Sequence, residues 1–323
     1  MSVPVSMVIP SYNGRELLER HLPAVEAALS AHPPGGEVIV ADDGSTDGTA
    51  SWLAARPSPV RVVSLGRNRG FGPACAAGVA AARNETVVLL NTDVAVREGF
   101  LGPLAAALEP RDVFAAGALA LAPEGDRVME NLKVPRLHRG RLRFEKLGPL
   151  PLTECRARLG GPRPTLFATG GFMALKRSRF LELGGFDPLF RPFYYEDADL
   201  CWRAWKRGFR VLLVPESTVV HHHRGTIGRL STDREVRRIQ ERNRLLFLWK
   251  NLTDPRIFYP RHLFPLCLRA CGKWLCLDLD FYRALGGALR RLGPALRARR
   301  AERAAAKRTD GEVFRLIRRE NGF

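Results

Sequence analysis

The sequence predicts an α/β protein whose central sheet is mostly parallel and is covered by helices on both faces, followed by a basic helical extension. Three observations support this prediction. Short runs of Val, Ile and Leu alternate with segments of helical periodicity through the first 120 residues. Each run is followed by a cluster rich in Gly, Asp, Asn or Ser. Hydrophobic residues make up 46% of the 323 residues, enough to form a substantial core.

The predicted elements alternate in a regular order. Continuous apolar runs predict strands at residues 5–10, 37–42, 60–65 and 86–93. Helical spacing of apolar residues predicts helices at 14–29, 46–55 and 72–83. Further elements are expected at 165–187 (strand, helix and Gly-Gly turn), 197–209 (helix), 210–215 (strand) and 217–223 (strand). In parallel sheets ligands bind beyond the carboxyl ends of the strands, so the residues after each strand are the candidates for function.

Two parts of the chain differ in composition. Residues 1–225 are expected to form the α/β domain, in which 120–165, rich in Pro, Gly and Arg, form an irregular insertion or lobe. Residues 226–323 are expected to be the basic helical extension. From residue 224 onward there are 24 Lys and Arg against 10 Asp and Glu, so this part carries +14 of the net charge of +18. Such a block favours an anionic partner, either nucleic acid or an acidic membrane surface. A compositional bias is the alternative, since 44 of the 51 basic residues are Arg.

The six cysteines form no C-x-x-C pair, which excludes zinc-ribbon and dithiol redox motifs. Cys267, Cys271 and Cys276 stand at near-helical spacing among Leu and Trp, and we expect them to be buried thiols. The first residues read as a strand, so no signal peptide is expected, and no run of about 18 apolar residues predicts a membrane-spanning helix. A reducing, cytoplasmic location is the resulting expectation.

The stretches after the first two strands contain aromatic, amide and carboxylate side chains. Pro10, Tyr12 and Asn13 follow the first strand, where Pro turns the chain and Tyr12 can stack on a flat ring. Asp42 and Asp43 end the second strand. Helix capping explains one acidic residue of the following turn better than it explains this pair. A carboxylate at a strand end can accept a hydrogen bond from the imide N–H of uracil or thymine.

The third and fourth strands are followed by residues suited to a diphosphate and a cation. The loop GRNRGFG does not match the dinucleotide-binding fingerprint, but its Gly and Arg residues suit a backbone that lies close to a diphosphate. Asn91 and Asp93 end the fourth strand. A hard divalent cation on a nucleotide diphosphate usually needs one or two protein carboxylates, and Asp93 can supply one.

Six motifs occur in order along the chain: VIPSYNG, EVIVADDGSTDGT, RNRGFG, LLNTDV, GGFMALKRSRFLELGGFD and FYYEDADLCWRAWKRGFRVLLVPESTVVHHH. Together they resemble the family 2 glycosyltransferases of the GT-A fold, particularly the rhamnosyltransferase-like branch. The resemblance runs over about residues 3–225 and is weak in 120–165. It implies a GT-A nucleotide-diphospho-sugar transferase fold, a UDP- or dTDP-linked sugar donor, and Mg²⁺ or Mn²⁺ as cofactor.

The resemblance also implies roles for individual residues. Asp43 would contact the nucleobase, and Asp93, the last residue of a D-x-D-type motif, would hold the metal. This motif begins with Asn91 instead of Asp, which lowers the charge of the metal site. The implied nucleotide-sugar site comprises Pro10, Tyr12, Asn13, Asp43, Arg67, Asn68, Gly70, Asn91, Asp93, Gly170 and Gly171.

Glu196, Asp197 and Asp199 form an acidic cluster after an aromatic stretch. The resemblance implies that Asp197 is the general base, because an acceptor hydroxyl is a poor nucleophile until a carboxylate takes its proton. A single base without a covalent intermediate implies inversion at the anomeric carbon. Glu196 is expected to orient Asp197 or to touch the acceptor, and Asp199 suits the first turn of a helix. The alternative, that all three acids only begin a helix, leaves the aromatic residues unexplained.

Three consecutive histidines follow the last predicted strand. They alternate in facing if the strand continues, so all three cannot bind one metal. The resemblance favours His221 as the metal ligand. A run of surface histidines is the alternative.

A basic amphipathic helix is predicted at 261–276. Its apolar arc contains Leu263, Phe264, Cys267, Cys271, Trp274 and Leu275, with Arg269 and Lys273 opposite. Such a helix can lie in a membrane interface, or it can pack on the α/β domain with its basic face in solvent. No nucleic-acid-binding motif accompanies the arginines, so nucleic acid is not expected as a partner. We therefore expect peripheral attachment to the inner face of the cell membrane; the oligomeric state stays open.

The leading hypothesis is an inverting, metal-dependent glycosyltransferase. It would move a sugar to a hydroxyl of a glycan or lipid-linked acceptor in cell-surface polysaccharide synthesis. The second hypothesis is a non-catalytic nucleotide-sugar-binding or scaffold protein on the same fold, and the third is a basic nucleic-acid-binding protein. The presence of Asp43, Asp93 and Asp197 favours the enzyme, since a non-catalytic relative could lose them freely.

Overall fold

The structure is a computed structural model that describes residues 3–56, 60–145, 147–222 and 232–322. Its first half contains four parallel strands in the order β3-β2-β1-β4. They are β1 (Val5–Ser11), β2 (Gly36–Asp42), β3 (Arg61–Ser64) and β4 (Thr86–Leu90). Helices α1 (Arg15–Ser30), α2 (Thr49–Ala54) and α3 (Phe71–Ala81) connect them. Because the chain turns back across β1 to reach β4, a crevice opens at the carboxyl ends of these two strands.

The second half of the sheet is mixed. Its strands are β5 (Val94–Val96), β6 (Val113–Leu121), β7 (Arg127–Glu130), β10 (Leu150–Pro151), β11 (Arg163–Pro164), β12 (Phe172–Lys176) and β13 (Arg210–His221); β8 (Val134–His138) and β9 (Arg141–Glu145) form a separate hairpin. Helices α4 (Leu101–Ala107), α5 (Leu152–Leu159), α6 (Arg177–Glu182) and α7 (Glu196–Lys206) belong to this half. Strand β12 pairs antiparallel with both β4 and β6, which joins the two halves into one sheet.

Two apolar clusters cover the two faces of the sheet, as the α/β prediction requires. One cluster contains residues of α1 and α4, such as Leu22 and Leu104. The other contains residues of α3, α6 and α7, such as Val79, Phe180 and Trp202. The burial of β1 and β4 on both faces of the sheet explains why these strands are rich in Val, Ile, Met and Leu.

Two local predictions were wrong. The segment 120–165, expected to be irregular, contains β7–β11 and α5. Its strands are two to five residues long and contain Arg and Pro, so they lack the apolar runs by which the other strands were recognised. The two strands expected at 210–215 and 217–223 are one strand, β13. The register of β13 shifts between Val214 and Thr218, and this irregularity accommodates Pro215.

The C-terminal part is helical, as predicted. It comprises α8 (Asp233–Asn251), α9 (Pro255–Phe258), a π-helical turn (Tyr259–Leu263), α10 (Phe264–Leu275), α11 (Leu279–Leu289), α12 (Leu292–Ala305) and α13 (Asp310–Glu320). A capping box formed by Thr232 and Glu235 begins α8. Residues of α8 and α13 enter the same apolar cluster as α7. A buried ion pair between Lys206 and Asp310 also joins α7 to α13.

The C-terminal cysteines lie on the surface, so the expectation that they are buried was wrong. Cys267, Cys271 and Cys276 are exposed, whereas Cys75, Cys155 and Cys201 are buried. The reason is that α10 buries only Leu266 fully and turns its apolar face away from the rest of the chain. Among the described residues, none of the helices combines the length and the apolar character needed to cross a membrane.

Candidate active site

Backbone and side-chain hydrogen bonds lock together the loops that follow β1 and β2. The Asn13 side-chain oxygen accepts from the Thr46 N–H at 2.8 Å, and the Asn13 N–H donates to the Ser45 hydroxyl at 2.9 Å. Asp47 accepts from the Arg15 N–H at 3.0 Å and from the Thr49 N–H at 3.1 Å. Asn13 and Asp47 therefore shape the rim of the crevice through these contacts.

Asp43 organises the loop after β3. Its two carboxylate oxygens accept from the N–H groups of Arg69 and Gly70, both at 2.7 Å. Gly44 allows this approach, because a Cβ there would lie 2.6 Å from the Arg67 Cα. Each carboxylate oxygen has two lone pairs, so Asp43 can accept a further hydrogen bond. Its contact with a nucleobase stays a prediction; the structure adds its role in holding the loop.

The remaining residues predicted for the donor lie around the same crevice. Pro10 lies at the end of β1, paired with Ala41 of β2. Tyr12 follows β1 and is half-buried, and the side chains of Arg67 and Asn68 are exposed on the loop after β3. The roles of these residues in binding a nucleotide sugar stay predictions.

The end of β4 packs closely against the turn formed by residues 169–171. The Asn91 N–H donates to the Gly171 carbonyl at 2.8 Å. Gly171 leaves room for this contact, since a Cβ there would lie 2.6 Å from the Asn91 Nδ2 and the Asn91 side chain would have to shift. This contact places the Asn91 side chain against the backbone of the turn, and Asp93 follows two residues later at the mouth of the crevice.

Asp93 and His221 lie side by side. The His221 Nε2 is 3.8 Å from the Asp93 Oδ2, and the His222 N–H donates to the Asp93 carbonyl at 3.0 Å. The other ring nitrogen, Nδ1, is 3.2 Å from the Glu130 Oε1, and the ring of Phe172 meets the imidazole edge-on. The third histidine of the run lies outside the described residues.

These residues fit part of a divalent metal site. When Nδ1 donates to Glu130, Nε2 carries the lone pair and is the ring nitrogen that lies 3.8 Å from Asp93. Metal-binding histidines are commonly oriented by such a hydrogen bond from the other ring nitrogen. The described residues contain no group of three or more His, Cys, Asp or Glu placed for a metal. A metal held here would therefore need donors from a bound diphosphate as well as Asp93 and His221.

Glu130 and Lys133 were missed by the sequence analysis. Glu130 ends β7 and accepts from the Thr169 hydroxyl at 3.0 Å, and the Lys133 Nζ donates to the same hydroxyl at 3.0 Å. Burial alone would raise the pKa of Glu130, but the His221 hydrogen bond and the Lys133 charge lower it to about 2. Both residues come from the segment 120–165. The only sequence signal for them there is a single charged residue within a short apolar stretch.

Asp197 also contacts the 169–171 turn, through Gly170. Its Oδ2 accepts from the Gly170 N–H at 3.1 Å and its Oδ1 accepts from the Ala198 N–H at 2.7 Å. Burial raises the pKa of Asp197 above its ordinary value, although these two N–H groups and Lys133 oppose the rise. The carboxylate is thus held in place and made more basic, two properties that general-base catalysis requires.

Glu196 occupies the first position of α7, beside a cleft of about 190 Å³ lined partly by Gly72, Pro73 and Phe190. Its Oε2 is buried and has no hydrogen-bond partner among the described residues. Burial and the neighbouring Asp197 raise the pKa of Glu196 to about 8. The neutral form of Glu196 is therefore favoured, and among the described residues Glu196 has no hydrogen bond to Asp197 that would orient it.

Asp199 has a structural environment. It is fully buried and lies within hydrogen-bonding distance of Arg203, Lys250 and Asn251. Burial would raise the pKa of Asp199, but Lys250 and Arg203 lower it. The expectation that Asp199 belongs to the first helical turn agrees with its position in α7.

Comparison with known proteins places these observations in a family. The model of the family "Glycosyl transferase family 2" matches residues 6–183, more than half of the chain. The chain belongs to glycosyltransferase family 2. A second model, "N-terminal domain of galactosyltransferase", matches residues 157–225. Within the family, the chain is 31% identical over 249 residues to the N-acetylglucosaminyl-diphospho-decaprenol L-rhamnosyltransferase of Mycobacterium tuberculosis, covering 71% of this chain and 79% of the relative. The rhamnosyltransferase-like character predicted from the motifs is thereby confirmed.

Solved structures confirm the GT-A fold. GalNAc-T7, solved with UDP, GalNAc and Mn²⁺, superposes with a TM-score of 0.59 at 20% identity, over 80% of this chain and 50% of that one. The mannosyltransferase PcManGT of Pyrobaculum calidifontis, solved with GDP-Man and Mn²⁺, superposes with a TM-score of 0.54 at 19% identity, over 99% of this chain and 85% of that one. This family 2 glycosyltransferase thus spans about half the length of the GalNAc-T7 chain.

Because the pKa of Glu196 is raised, the free energy of unfolding should depend on pH through this residue. Glu196→Gln keeps the shape of the side chain but cannot ionise. In folded wild type the Glu196 carboxyl has a pKa of about 8, whereas its ordinary value is 4.5. Between these two pH values the folded state keeps a proton that the unfolded state has lost, so the free energy of unfolding of wild type should fall as the pH rises. The stability of Glu196→Gln relative to wild type should therefore increase from about pH 5 to about pH 8, as measured by urea unfolding. Glu124→Gln, at an exposed position, is the control; the same pH trend in both variants would contradict the prediction.

Proposed function

We propose that this family 2 glycosyltransferase is an inverting enzyme that moves a sugar from a nucleotide-diphosphate donor to a hydroxyl of a glycan or lipid-linked acceptor. The observation that carries the proposal is the 169–171 turn. This turn forms a hydrogen bond with Asn91, which lies two residues before Asp93 of the proposed donor site. It forms another with Asp197, the proposed base. A donor diphosphate near Asp93 would thus bring its anomeric carbon toward a held carboxylate.

Asp197 would act as the general base. As the acceptor oxygen forms its bond to the anomeric carbon, the hydroxyl proton passes to the Asp197 carboxylate. The bond from the anomeric carbon to the diphosphate oxygen breaks at the same time, and the nucleotide diphosphate leaves. Since no enzyme group bonds to the sugar, the configuration inverts.

The donor side would be built by the three loops of the crevice. Asp43 would accept from the imide N–H of a uracil or thymine, which supports UDP or dTDP as the carrier. The Gly70 loop, held by Asp43, would lie near the diphosphate. Asp93 and His221 would hold Mg²⁺ or Mn²⁺, and the cation would neutralise charge on the leaving diphosphate. The Mn²⁺ in both of the solved relatives supports this assignment.

The acceptor is proposed to be lipid-linked, in the synthesis of a cell-surface polysaccharide. The name of the mycobacterial relative specifies an acceptor on decaprenol. The α/β catalytic part is proposed as 1–225, and the helical extension, proposed as 226–323, would contact the membrane. The proposed location is the inner face of the cell membrane, with peripheral attachment.

The surface that would contact the membrane is the outer face of α10, here called the α10 stripe. It consists of Phe264, Cys267, Leu268, Cys271, Trp274 and Leu275, all exposed. The exposed fraction reaches 68% for Trp274 and 83% for Leu275, which is unusual for such large apolar side chains. An amphipathic helix with Trp and Phe on its apolar face is suited to the interface of a bilayer.

Charge complementarity supports an anionic bilayer as the occupant of the α10 stripe. Arg261 precedes the stripe, and Arg290 and Arg297 follow it along the chain, all three exposed. Arg269 and Lys273, which were expected to form the basic face of this helix, are engaged in ion pairs with Glu241 and Asp278. The attraction would therefore come from exposed arginines before and after the helix in the chain and less from the helix itself.

Asp197→Asn should lower kcat by about 100-fold or more, since the variant keeps the side-chain shape but loses the base. The Kd for UDP with Mn²⁺ should change by less than about threefold, because Asp197 lies on the acceptor side. Initial rates with a panel of nucleotide sugars, together with calorimetric titration of UDP, measure both. Asp126→Asn, at an exposed position, should leave both unchanged. An Asp197→Asn variant that keeps most of its turnover would remove Asp197 from this role and favour a binding protein.

Asp93→Ala should weaken the binding of Mn²⁺ and of UDP together, because the metal and the diphosphate share one site. His221→Ala should have a smaller effect, and Glu130→Gln should reduce Mn²⁺ affinity by about 10-fold through the orientation of His221. Titration of Mn²⁺ with and without UDP measures these constants. Full activity in the presence of a chelator would contradict the metal assignment, and Arg67 or Arg69 would then have to neutralise the diphosphate.

Substitution of Trp274 and Leu275 together by Ala should weaken binding to vesicles of anionic phospholipid. Each basic residue near such a surface contributes about 1 kcal/mol, and raising the salt from about 0.1 M to 1 M shortens the Debye length from about 10 Å to about 3 Å. Salt should therefore remove most binding, with a smaller remainder that depends on Trp274 and Leu275. Leu181→Ala, at an exposed leucine outside the extension, is the control for co-sedimentation. The proposal would be contradicted if the wild-type chain did not bind anionic vesicles but formed dimers through the α10 stripe.

A further inference from the structure

We propose that helix α8, through Asn243, sets the backbone conformation of residues 189–195 and so positions Asp197. The functional meaning of this contact rests on the proposed role of Asp197 as the base. The structural part of the inference does not, because it concerns which side chains hold this segment in place. Asn243 is a positioning residue in this proposal, since it acts on Asp197 through the backbone of the segment.

The segment has a backbone conformation that its residues do not favour. Tyr194 and Tyr195 have φ angles of 71° and 75°, in the left-handed region. Such a conformation is unfavourable for residues other than Gly, and two consecutive aromatic residues in it require outside contacts to hold them. Tyr195 is the residue from which α7 begins, so its conformation sets the direction of that helix.

Asn243 supplies the main contact. It is fully buried, and its side-chain nitrogen lies 2.6 Å from the Phe190 carbonyl, 2.9 Å from the Phe193 carbonyl and 2.8 Å from the Tyr194 carbonyl. The amide hydrogens of one side chain are thus shared among three carbonyls of the segment. These hydrogen bonds hold the backbone of residues 190–194 and so fix the direction in which the chain enters Tyr195.

Two arginines of the C-terminal part bind the same segment. The Arg291 Nη1 donates to the Leu189 carbonyl at 2.7 Å and to the Arg191 carbonyl at 2.9 Å. The Arg242 Nη2 donates to the Arg191 carbonyl at 2.6 Å. The carbonyls of residues 189, 190, 191, 193 and 194 are therefore all held by side chains from beyond residue 240.

One face of α8 makes the remaining contacts. The ring of Phe247, one turn after Asn243, packs on the ring of Tyr195 at 5.8 Å between centroids. One turn further, the buried Lys250 bonds to Asp187 before the segment and to Asp199 after it. Residues 243, 247 and 250 are spaced i, i+4 and i+7, so they share one side of the helix. The segment is thus fastened before, within and after the strained turn.

The conformation of Tyr195 affects the position of Asp197, because the two residues are close in the chain. The Asp199 N–H bonds to the Tyr195 carbonyl at 2.9 Å in the first turn of α7, and Asp197 lies between them. If Tyr195 relaxes to an ordinary φ, the first turn of α7 moves, and the bond from Gly170 to Asp197 has to change. A displacement of about 1 Å at a reacting group can lower the rate by about 100-fold.

The test compares the same substitution at two asparagines of the C-terminal part. Asn243→Asp keeps the size of the side chain but replaces its donor nitrogen by an oxygen that faces three carbonyls. Asn321→Asp is the matched control, since the Asn321 side-chain nitrogen also bonds to two carbonyls, those of Pro164 and Ile317, but far along the chain from the segment. Arg291→Gln is a milder second variant, because Arg291 is only partly buried and its loss leaves Asn243 in place.

Three readouts on the full-length chain decide the outcome. Hydrogen–deuterium exchange of peptides covering 186–200 should speed up in Asn243→Asp and in Arg291→Gln, but not in Asn321→Asp. In Asn243→Asp, kcat should fall by about 100-fold. The Kd of UDP with Mn²⁺ should stay within about threefold, and the pH dependence of kcat should shift because the surroundings of Asp197 change. Arg291→Gln should lie between Asn243→Asp and wild type.

Two results would overturn the proposal. One is unchanged exchange in the segment together with unchanged kcat in folded Asn243→Asp and Arg291→Gln. The other is an equal loss of kcat in Asn321→Asp, which would mean a general effect of reduced stability. If wild type transfers no sugar, the proposed function fails, but exchange of the segment still decides whether α8 holds it.

Discussion

The geometry of the candidate site depends on the turn formed by Thr169, Gly170 and Gly171. The Gly171 carbonyl accepts from Asn91 of the β4 end, the Gly170 N–H donates to Asp197 of α7, and the Thr169 hydroxyl joins Glu130 and Lys133 of the inserted strands. These partners come from three separate stretches of the chain, and three consecutive residues set their separation. The absence of a side chain at Gly171 is part of this constraint, because a Cβ would collide with Asn91.

Three neighbouring carboxylates in a strongly basic chain have three different environments. Asp199 is fully buried but paired with Arg203 and Lys250, so it stays ionised and fastens α7 to α8. Glu196 is partly buried and its Oε2 has no hydrogen-bond partner in the described part of the chain, so its neutral form is favoured. Asp197 lies between these extremes, with two N–H donors and a raised pKa. The three acids therefore differ in burial as well as in partners, since Asp199 is fully buried and Glu196 and Asp197 are partly buried. Such differences in environment commonly separate a structural acid from a candidate base.

The C-terminal extension has one side that packs on the candidate site and another that exposes apolar side chains. The inner side of α8 carries Asn243 and Lys250 and belongs to the architecture of the site. The outer side of α10 exposes Phe264, Trp274 and Leu275. A membrane contact through α10 would therefore act on the same helical unit that holds the aromatic segment before Asp197.

The sequence by itself determined the α/β class, the four parallel strands and the residues at their ends, because continuous apolar runs and turn residues are local signals. It also identified the ordered motifs that contain Asp43, Asp93 and Asp197. It missed Glu130, Lys133 and Asn243, since each acts through partners about 35 to 90 residues away and lies in a segment with no distinctive pattern. It placed Cys267, Cys271 and Cys276 inside, although they are exposed, because helical periodicity shows that a face is apolar but not what covers it. Only the tertiary structure decided which acids are paired, which are enclosed and which surface is left open, because burial and pairing arise from contacts between distant parts of the chain.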